Sequence, residues 1–380
     1  MASSFFVKCV CPSCLEEIYL GECRIVSGRT SGKVLKEPKG PFARMSVEPL
    51  TGPKYTLELA RRECTNCAYP LPYNIESVPS LSLVIVGDTF SGKSHYIASL
   101  IQQLKTEWLG NAVGSARFTS LTPDEEMAYL RDYVGPLFVE RRVLSSTAPS
   151  TSETTRPLIY NLVRSPSPRR PPLSLNLVIY DTAGEDFYEA RLVQFARFVL
   201  NTNALIFVAD PFAMTSFAKT LPASLLPNET EYMVEFTRRR RLAERFTSII
   251  EIIERYRGLS SGSSLPDLPI AIMLSKADML QHAIPASSYR FLHNPYYRDA
   301  LDLEDIRIVD EEVRDIFARY QQNDLLKATI RLKQVSFFAT SATGEAPDRD
   351  HRFRNVTPLR CLDPLLWILY RRGVIEAAYK

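Results

Sequence analysis

A chain of 380 residues, 45% of them apolar, is long enough to bury a full core, with room for one large domain and something smaller. A net charge of +3 creates no overall field that would draw the molecule to nucleic acid or an anionic membrane, so any such contact has to come from a local patch. No apolar run reaches membrane-spanning length, and Met1–Val10 has too short an apolar core for a secretory signal, which predicts a cytoplasmic protein. In that compartment seven cysteines, six of them before Asn74, read as metal ligands or buried thiols rather than disulfides.

The first segment, to about Val78, carries Cys9-Val-Cys11-Pro-Ser-Cys14, then Cys23, then Cys64-Thr-Asn-Cys67. A Cys-x-x-Cys pair forms a tight turn presenting two thiolates, and two such pairs complete a tetrahedral zinc site that nucleates a small domain short of core. Cys11, Cys14, Cys64 and Cys67 are the predicted quartet. The set resembles a zinc ribbon, with a longer interval between the pairs, so that Cys9 or Cys23 could replace a member, and unliganded reduced thiols are the plain alternative.

After a linker rich in turn formers, Leu81–Leu100 (LSLVIVGDTFSGKSHYIASL) reads as strand, loop and helix: Leu83–Val86 is a buried-strand run, and Ile97, Ile101 and Leu104 recur at helical spacing. The loop from Gly87 through Asp88, Thr89, Ser91 and Gly92 to Lys93 and Ser94 has nucleotide-binding spacing. Its glycines let backbone N–H groups curl around phosphates, Lys93 reaches the outer phosphates, and the Ser94 hydroxyl holds Mg²⁺. The helix that follows aims its positive N-terminus at the same anion.

Thr122 reads as the N-cap of an extra helix with Met127, Leu130 and Val134 along its apolar stripe. Ser145–Thr155 is hydroxyl-rich and aperiodic, Pro157–Val163 is a strand, and Arg164–Pro172 is an exposed connection because proline lacks the ladder donor. Leu173–Tyr180 is a strand that delivers Asp181 to its carboxyl edge ahead of Gly184. A carboxylate there orients metal-bound water, and a glycine amide meets a terminal phosphate. Further strands are expected at Asn203–Asp210, Leu268–Leu274 and Val335–Ala339. Asn228 and Glu231 form a capping-box pattern opening a long helix with Leu242, Phe246, Ile249, Ile253 and Tyr256 in its stripe. Arg238–Arg241 fall on its solvated face. Residues 281–332 exceed what a connection needs and include an amphipathic helix with Val313, Ile316, Phe317 and Tyr320 on one face. Leu362–Tyr379 closes the chain as a helix.

Taken in order, Lys93-Ser94, Asp181-Thr-Ala-Gly184, Ser275-Lys-Ala-Asp278 and Thr340-Ser-Ala-Thr343 resemble the motifs of Ras-like GTPases of the translation-factor class, over roughly Leu81 to the end. The resemblance implies an α/β fold of the P-loop NTPase type, a mostly parallel sheet flanked by helices. It divides the chain into a zinc-ribbon-like lobe, 1–78, and a GTPase domain, 79–380, with a helical insertion around 281–332. It also implies that Asp278 accepts the guanine N1 and N2 hydrogens while the Lys276 stem packs on the base, and that Ser341, Ala342 and Thr343 present an amide to the guanine carbonyl. Gly184 would hold the γ-phosphate and Thr155, or Thr154, would be the switch threonine. Glu185 occupies the place of a water-orienting glutamine, and Ser275 replaces the family's usual Asn or Thr. A finer similarity is to zinc-ribbon-bearing prokaryotic GTPases often called double-GTPase or conflict-system GTPases.

The resemblance implies a Mg²⁺-dependent molecular switch that binds and hydrolyses GTP to GDP, slowly without a partner, and acts through activating or effector proteins. The alternatives are an ATP-dependent P-loop NTPase and a zinc-ribbon nucleic-acid-binding protein with a regulatory nucleotide site. Lys33, Lys36, Lys39, Arg44, Arg61 and Arg62 would give the latter its charge, although aromatic interleaving is sparse.

Overall fold

Uninterrupted Val, Ile, Leu and Phe runs are satisfied in strands buried on both faces, and such runs build the centre of this molecule. A computed structural model describes residues 7–377 apart from 31, 41, 51, 107–112, 114–115, 122, 146–156, 167–171, 182–200, 223–224, 227–241, 296 and 298–300.

The N-terminal part begins with an antiparallel hairpin of β1 (Lys8–Val10) and β2 (Glu17–Tyr19), with Cys11 and Cys14 in its turn. A three-stranded antiparallel sheet follows, made of β3 (Ile25–Val26), β4 (Val34–Lys36) and β5 (Arg61–Arg62), with the short helix α1 (Pro53–Leu57) before β5. Its apolar content is small: Cys11, Ile18, Leu20, Cys23, Cys64 and Leu71 form one buried cluster.

The remainder is a mixed α/β structure on a seven-stranded sheet. Its strands are β6 (Ser80–Gly87), β7 (Ala116–Ser120), β8 (Leu158–Arg164), β9 (Leu173–Asp181), β10 (Ala204–Ala209), β11 (Ile270–Leu274) and β12 (Val335–Ala339). The order is β12-β11-β10-β6-β9-β8-β7, with β12, β11, β10, β6 and β9 mutually parallel and β8 antiparallel to both of its neighbours. Side chains alternate between two helical layers. Val84, Val86, Phe207 and Ile272 face α5 (Leu242–Tyr256) and α6 (Leu303–Arg319), whereas Leu83, Ile85, Ile206 and Met273 face α2 (Lys93–Leu104) and α8 (Asp363–Arg371). Shorter helices α3 (Pro123–Tyr129), α4 (Thr215–Ala218) and α7 (Asn323–Thr329) also lie among the described residues. The chain leaves β6 toward one edge of the sheet and β10 toward the other, which opens a crevice at the carboxyl ends of these neighbours.

Strand β7 was not among the expected strands, because its short edge sequence ARFTS buries Phe118 alone. Two expectations need correction. The extra helix does not keep Met127 and Leu130 inside; they are 69% and 47% exposed. From Leu130 to Val139 it continues as a π-helix containing Pro136, and the buried positions are Tyr129, at the end of α3, and Leu137. The closing helix stops at Arg371, ahead of Gly373 with φ 69°, rather than running to Tyr379. The amphipathic helix of 281–332 is as expected, with Val313, Ile316 and Phe317 buried along α6. Among the described residues no helix is long and apolar enough to cross a membrane.

Candidate functional site

The loop Gly87–Ser94 joins β6 to α2 at the mouth of the crevice. Gly87 lies so close to β10 that a Cβ would stand 2.7 Å from the Val208 carbonyl oxygen and 2.9 Å from Ser91 Oγ. Gly92 needs its glycine for a different reason: it takes φ 89° as the residue capping α2. Gly87→Ala is therefore expected to shift β10 or the loop and to destabilise the fold by about 1–3 kcal/mol, read by urea denaturation. An unchanged midpoint would mean that the backbone yields more easily than this contact implies.

Lys93 is buried and folds back over the loop, donating to the carbonyls of Gly87 at 2.9 Å and Asp88 at 2.7 Å. Ser94 Oγ donates to Asp181 Oδ2 at 3.0 Å across 87 residues of chain, so the two expected magnesium ligands stand together. Tyr133, from the π-helix, adds a hydroxyl that donates to Asp181; burial and then the Asp181 charge push its pKa up. On the other side of the loop Lys276, held in the left-handed region at φ 51°, donates to the Phe90 carbonyl at 2.8 Å and pairs with the buried Asp210 at 3.0 Å. It thereby links the loops after β6, β10 and β11.

Asp278 is 6% exposed. Burial raises its pKa, while the Ser341 hydroxyl, its own backbone amide and the charge of Lys276 pull it back. The loop after β12 is fixed from both sides: Ala342 accepts a hydrogen bond from Ser99 Oγ on α2 at 2.7 Å, and Thr343 accepts from the Thr357 amide at 2.8 Å. Sequence positions 94, 181, 276, 278 and 341 thus converge on one sheet edge. Thr154, Thr155, Gly184, Glu185, Asn228, Glu231 and Arg238–Arg241 lie outside the described residues.

Sequence reasoning missed Asp210 and Arg245. Asp210 directly follows β10, whereas Asp181 is the last residue of β9, and applying the same strand-end rule to both would have found it. Arg245 is buried on α5 and ion-paired with the buried Asp88 of the loop. Its signal was a cation inside the apolar stripe between Leu242 and Ile249.

The four sulfurs of Cys11, Cys14, Cys64 and Cys67 lie within 4.8 Å of one another and could hold a metal ion. Cys11 and Cys67 are 3.8 Å apart and Cys14 and Cys64 are 3.7 Å apart. A tetrahedron with Zn–S bonds of about 2.3 Å has edges of about 3.8 Å, so the set is compatible with zinc. Each Cys-x-x-Cys turn is followed by a residue in the left-handed region, Leu15 at φ 62° and Ala68 at φ 56°. Cys9 and Cys23 are outside the quartet; Cys23 donates to the Tyr19 carbonyl at 3.6 Å, and burial pushes the two thiols up to about 12 and about 11 respectively. The first turn docks on the body: Tyr180 donates to the Pro12 carbonyl at 2.8 Å, Asn201 to the Leu15 carbonyl at 3.1 Å, and Leu15 joins the main core. Lys33, Lys36, Arg44 and Arg62 are each ion-paired with a carboxylate, Glu58, Glu48, Glu22 and Glu76 respectively.

No protein-family model matches the chain. Among curated proteins it is similar to one from Mycolicibacterium smegmatis named, provisionally, as the ESX-1 scaffolding and assembly protein SaeC. The two are 27% identical over 339 residues, spanning 82% of this chain and 80% of that protein.

Proposed function

We propose that this chain is a Mg²⁺-dependent GTP-binding and GTP-hydrolysing switch that acts on protein assembly, with the N-terminal four-cysteine site holding zinc. The observation that carries the reading is the meeting of Ser94 with Asp181 at 3.0 Å beside a glycine-bounded loop that opens a helix. The strand order supports it: a central β6 with a parallel set on one side and an antiparallel β8 beyond β9 is the arrangement expected of a Ras-like sheet. Ser94 and Asp181 would hold Mg²⁺, which neutralises phosphate charge when bound. Lys93 would exchange its loop carbonyls for the outer phosphates. Asp278, buried and with a raised pKa, would gain two donors from guanine N1 and N2; adenine offers no such pair and would leave the carboxylate desolvated.

The provisional name of the relative supports protein partners over other classes. The nucleic-acid alternative is weakened because four of the six basic residues it needs are already paired within the lobe. That name also favours a second reading, in which nucleotide is held as part of an assembly scaffold and is not turned over.

Calorimetric titration with GDP, a non-hydrolysable GTP analogue and the matching ATP analogue, each with Mg²⁺, tests the site. Wild-type protein is expected to bind guanine nucleotides at least about a hundredfold more tightly than adenine ones, and Asp278→Ala to lose that preference. Equal binding of ATP would overturn the guanine assignment, and absence of any nucleotide binding would overturn the switch. GTP turnover by protein that binds GTP distinguishes switch from scaffold.

A further inference from the structure

Asp88 presents a difficulty for any anion site built on this loop. Its carboxylate follows Gly87 directly, within the turn whose amides would receive phosphates, and like charges at that range repel. The structure contains an answer in α5. Arg245, on the first turn of that helix, pairs with Asp88, and the pair is removed from water, with side chains 7% and 5% exposed. The Asp88 main chain has partners of its own: its carbonyl accepts from Lys93 Nζ at 2.7 Å and from the Ser91 amide at 3.1 Å. One residue therefore meets two cations that come from helices on opposite faces of the sheet, its carboxylate pairing with Arg245 of α5 and its carbonyl accepting from Lys93 of α2. Helix α5 is fixed in this position by packing, with Phe246 edge-on to Phe207 of β10 at 5.2 Å between ring centroids. Arg245 consequently reaches the loop from a rigid element.

We propose that Arg245 is a positioning residue of the polyphosphate seat: it holds the Asp88 carboxylate away from the anion and cancels its charge, so that the amides of the Gly87–Ser94 loop receive a nucleoside di- or triphosphate. The inference rests on the nucleotide reading above and assigns the seat a buried cation that touches no ligand. Removing only the arginine leaves a buried, uncompensated negative charge behind the phosphates. Removing both charges leaves a neutral loop.

The test is a double-variant cycle on the full chain: wild type, Arg245→Met, Asp88→Asn and the combined Asp88→Asn/Arg245→Met, with Arg245→Lys as the conservative variant. Each is titrated with GDP, a non-hydrolysable GTP analogue and inorganic tripolyphosphate in the presence of Mg²⁺, and thermal unfolding is followed in the same buffer. Arg245→Met is expected to weaken the GTP analogue about a hundredfold or more, and GDP by less because it carries less charge. The combined variant should recover to within about tenfold of wild type, and Arg245→Lys should fall between. Arg245→Met binding within threefold of wild type overturns the proposal and leaves the pair as a packing contact. So does a combined variant that is folded but binds no better than Arg245→Met, which would make the arginine necessary irrespective of Asp88. Should Arg245→Met not fold, Arg245→Lys and the combined variant decide by the same thresholds. Wild-type protein that binds none of the three ligands refutes the nucleotide reading itself, and this one with it.

Discussion

Arg360→Ala is expected to destabilise the protein by about 3–5 kcal/mol at neutral pH, the range for breaking a buried ion pair from one side. Arg360 is 1% exposed and makes a closed set of contacts. It donates to Asp363 Oδ2 at 2.6 Å and to the His293 carbonyl at 3.0 Å, pairs with Asp305, and its amide donates to Asn294 Oδ1 at 2.8 Å. Removing the guanidinium would leave Asp363, itself 1% exposed, as a buried carboxylate beside Tyr297. Burial already raises the pKa of Asp363 and Arg360 is the main force lowering it, so in the variant that pKa rises further. The sign follows: a folded-state pKa above the unfolded one favours the folded state below it, so the loss should be largest near pH 7.5 and shrink as pH falls and Asp363 takes up a proton. Adding Asp363→Asn should recover much of the loss. Urea denaturation of the three proteins at two pH values measures this, and a loss under about 1 kcal/mol that does not vary with pH would refute it. The site has a stake in the result, because Leu359, next to Arg360, exchanges two backbone hydrogen bonds with Ser341, at 3.0 and 2.8 Å. Loss of the clamp should loosen the loop that faces Asp278.

What could be read from the sequence divides along physical lines. Strands β6, β10, β11 and β12 were legible because burial on both faces favours unbroken apolar runs, and the Leu83–Val86, Asn203–Asp210 and Leu268–Leu274 runs carry that signal. The Cys11, Cys14, Cys64 and Cys67 quartet was legible because two thiolates need a two-residue spacer to share a metal, whatever lies between the pairs. The placement of Ser94, Asp181, Asp278 and Ser341 at one sheet edge was legible because the loops after parallel strands gather at their carboxyl ends. Contacts without local pattern were not. Arg245 and Asp88 are paired across two elements and 157 residues, and only the oddity of a cation in an apolar stripe hinted at it. Strand β7 is polar, short and at an edge, where one buried Phe118 suffices to hold it. The π-helix escaped because a periodicity of 3.6 was assumed where Pro136 and the wider turn set another. Docking of the first cysteine turn on Tyr180 involves backbone carbonyls, which carry no sequence identity at all.

That docking gives metal removal a reach beyond the lobe. Stripping metal from the Cys11, Cys14, Cys64 and Cys67 site is expected to unfold the surrounding turns while the seven-stranded body remains folded. The apolar cluster around the site has six buried members, three of them cysteines, and so small a core cannot hold a fold alone, whereas structural zinc supplies on the order of 10–16 kcal/mol in small domains. Burial pushes the Cys14 thiol up to about 11, so at neutral pH the metal-free thiol is protonated, and metal binding must release protons and weaken as pH falls. Metal analysis should find one zinc per chain in wild type and none in Cys14→Ser or Cys64→Ser, with Cys9→Ser and Cys23→Ser unchanged because they stand outside the quartet. Hydrogen exchange after chelation should rise first in β1 and β2 and then at Tyr180 and Asn201, whose side chains lose the Pro12 and Leu15 carbonyls as acceptors. Tyr180 directly precedes Asp181, so an exposed Tyr180 leaves the carboxylate that meets Ser94 less firmly held. Retention of stoichiometric metal by Cys64→Ser, or unchanged protection of β1 and β2 in metal-free protein, would show that packing alone sustains the lobe. A rise confined to the lobe would show that the contact at Tyr180 transmits nothing to the sheet edge.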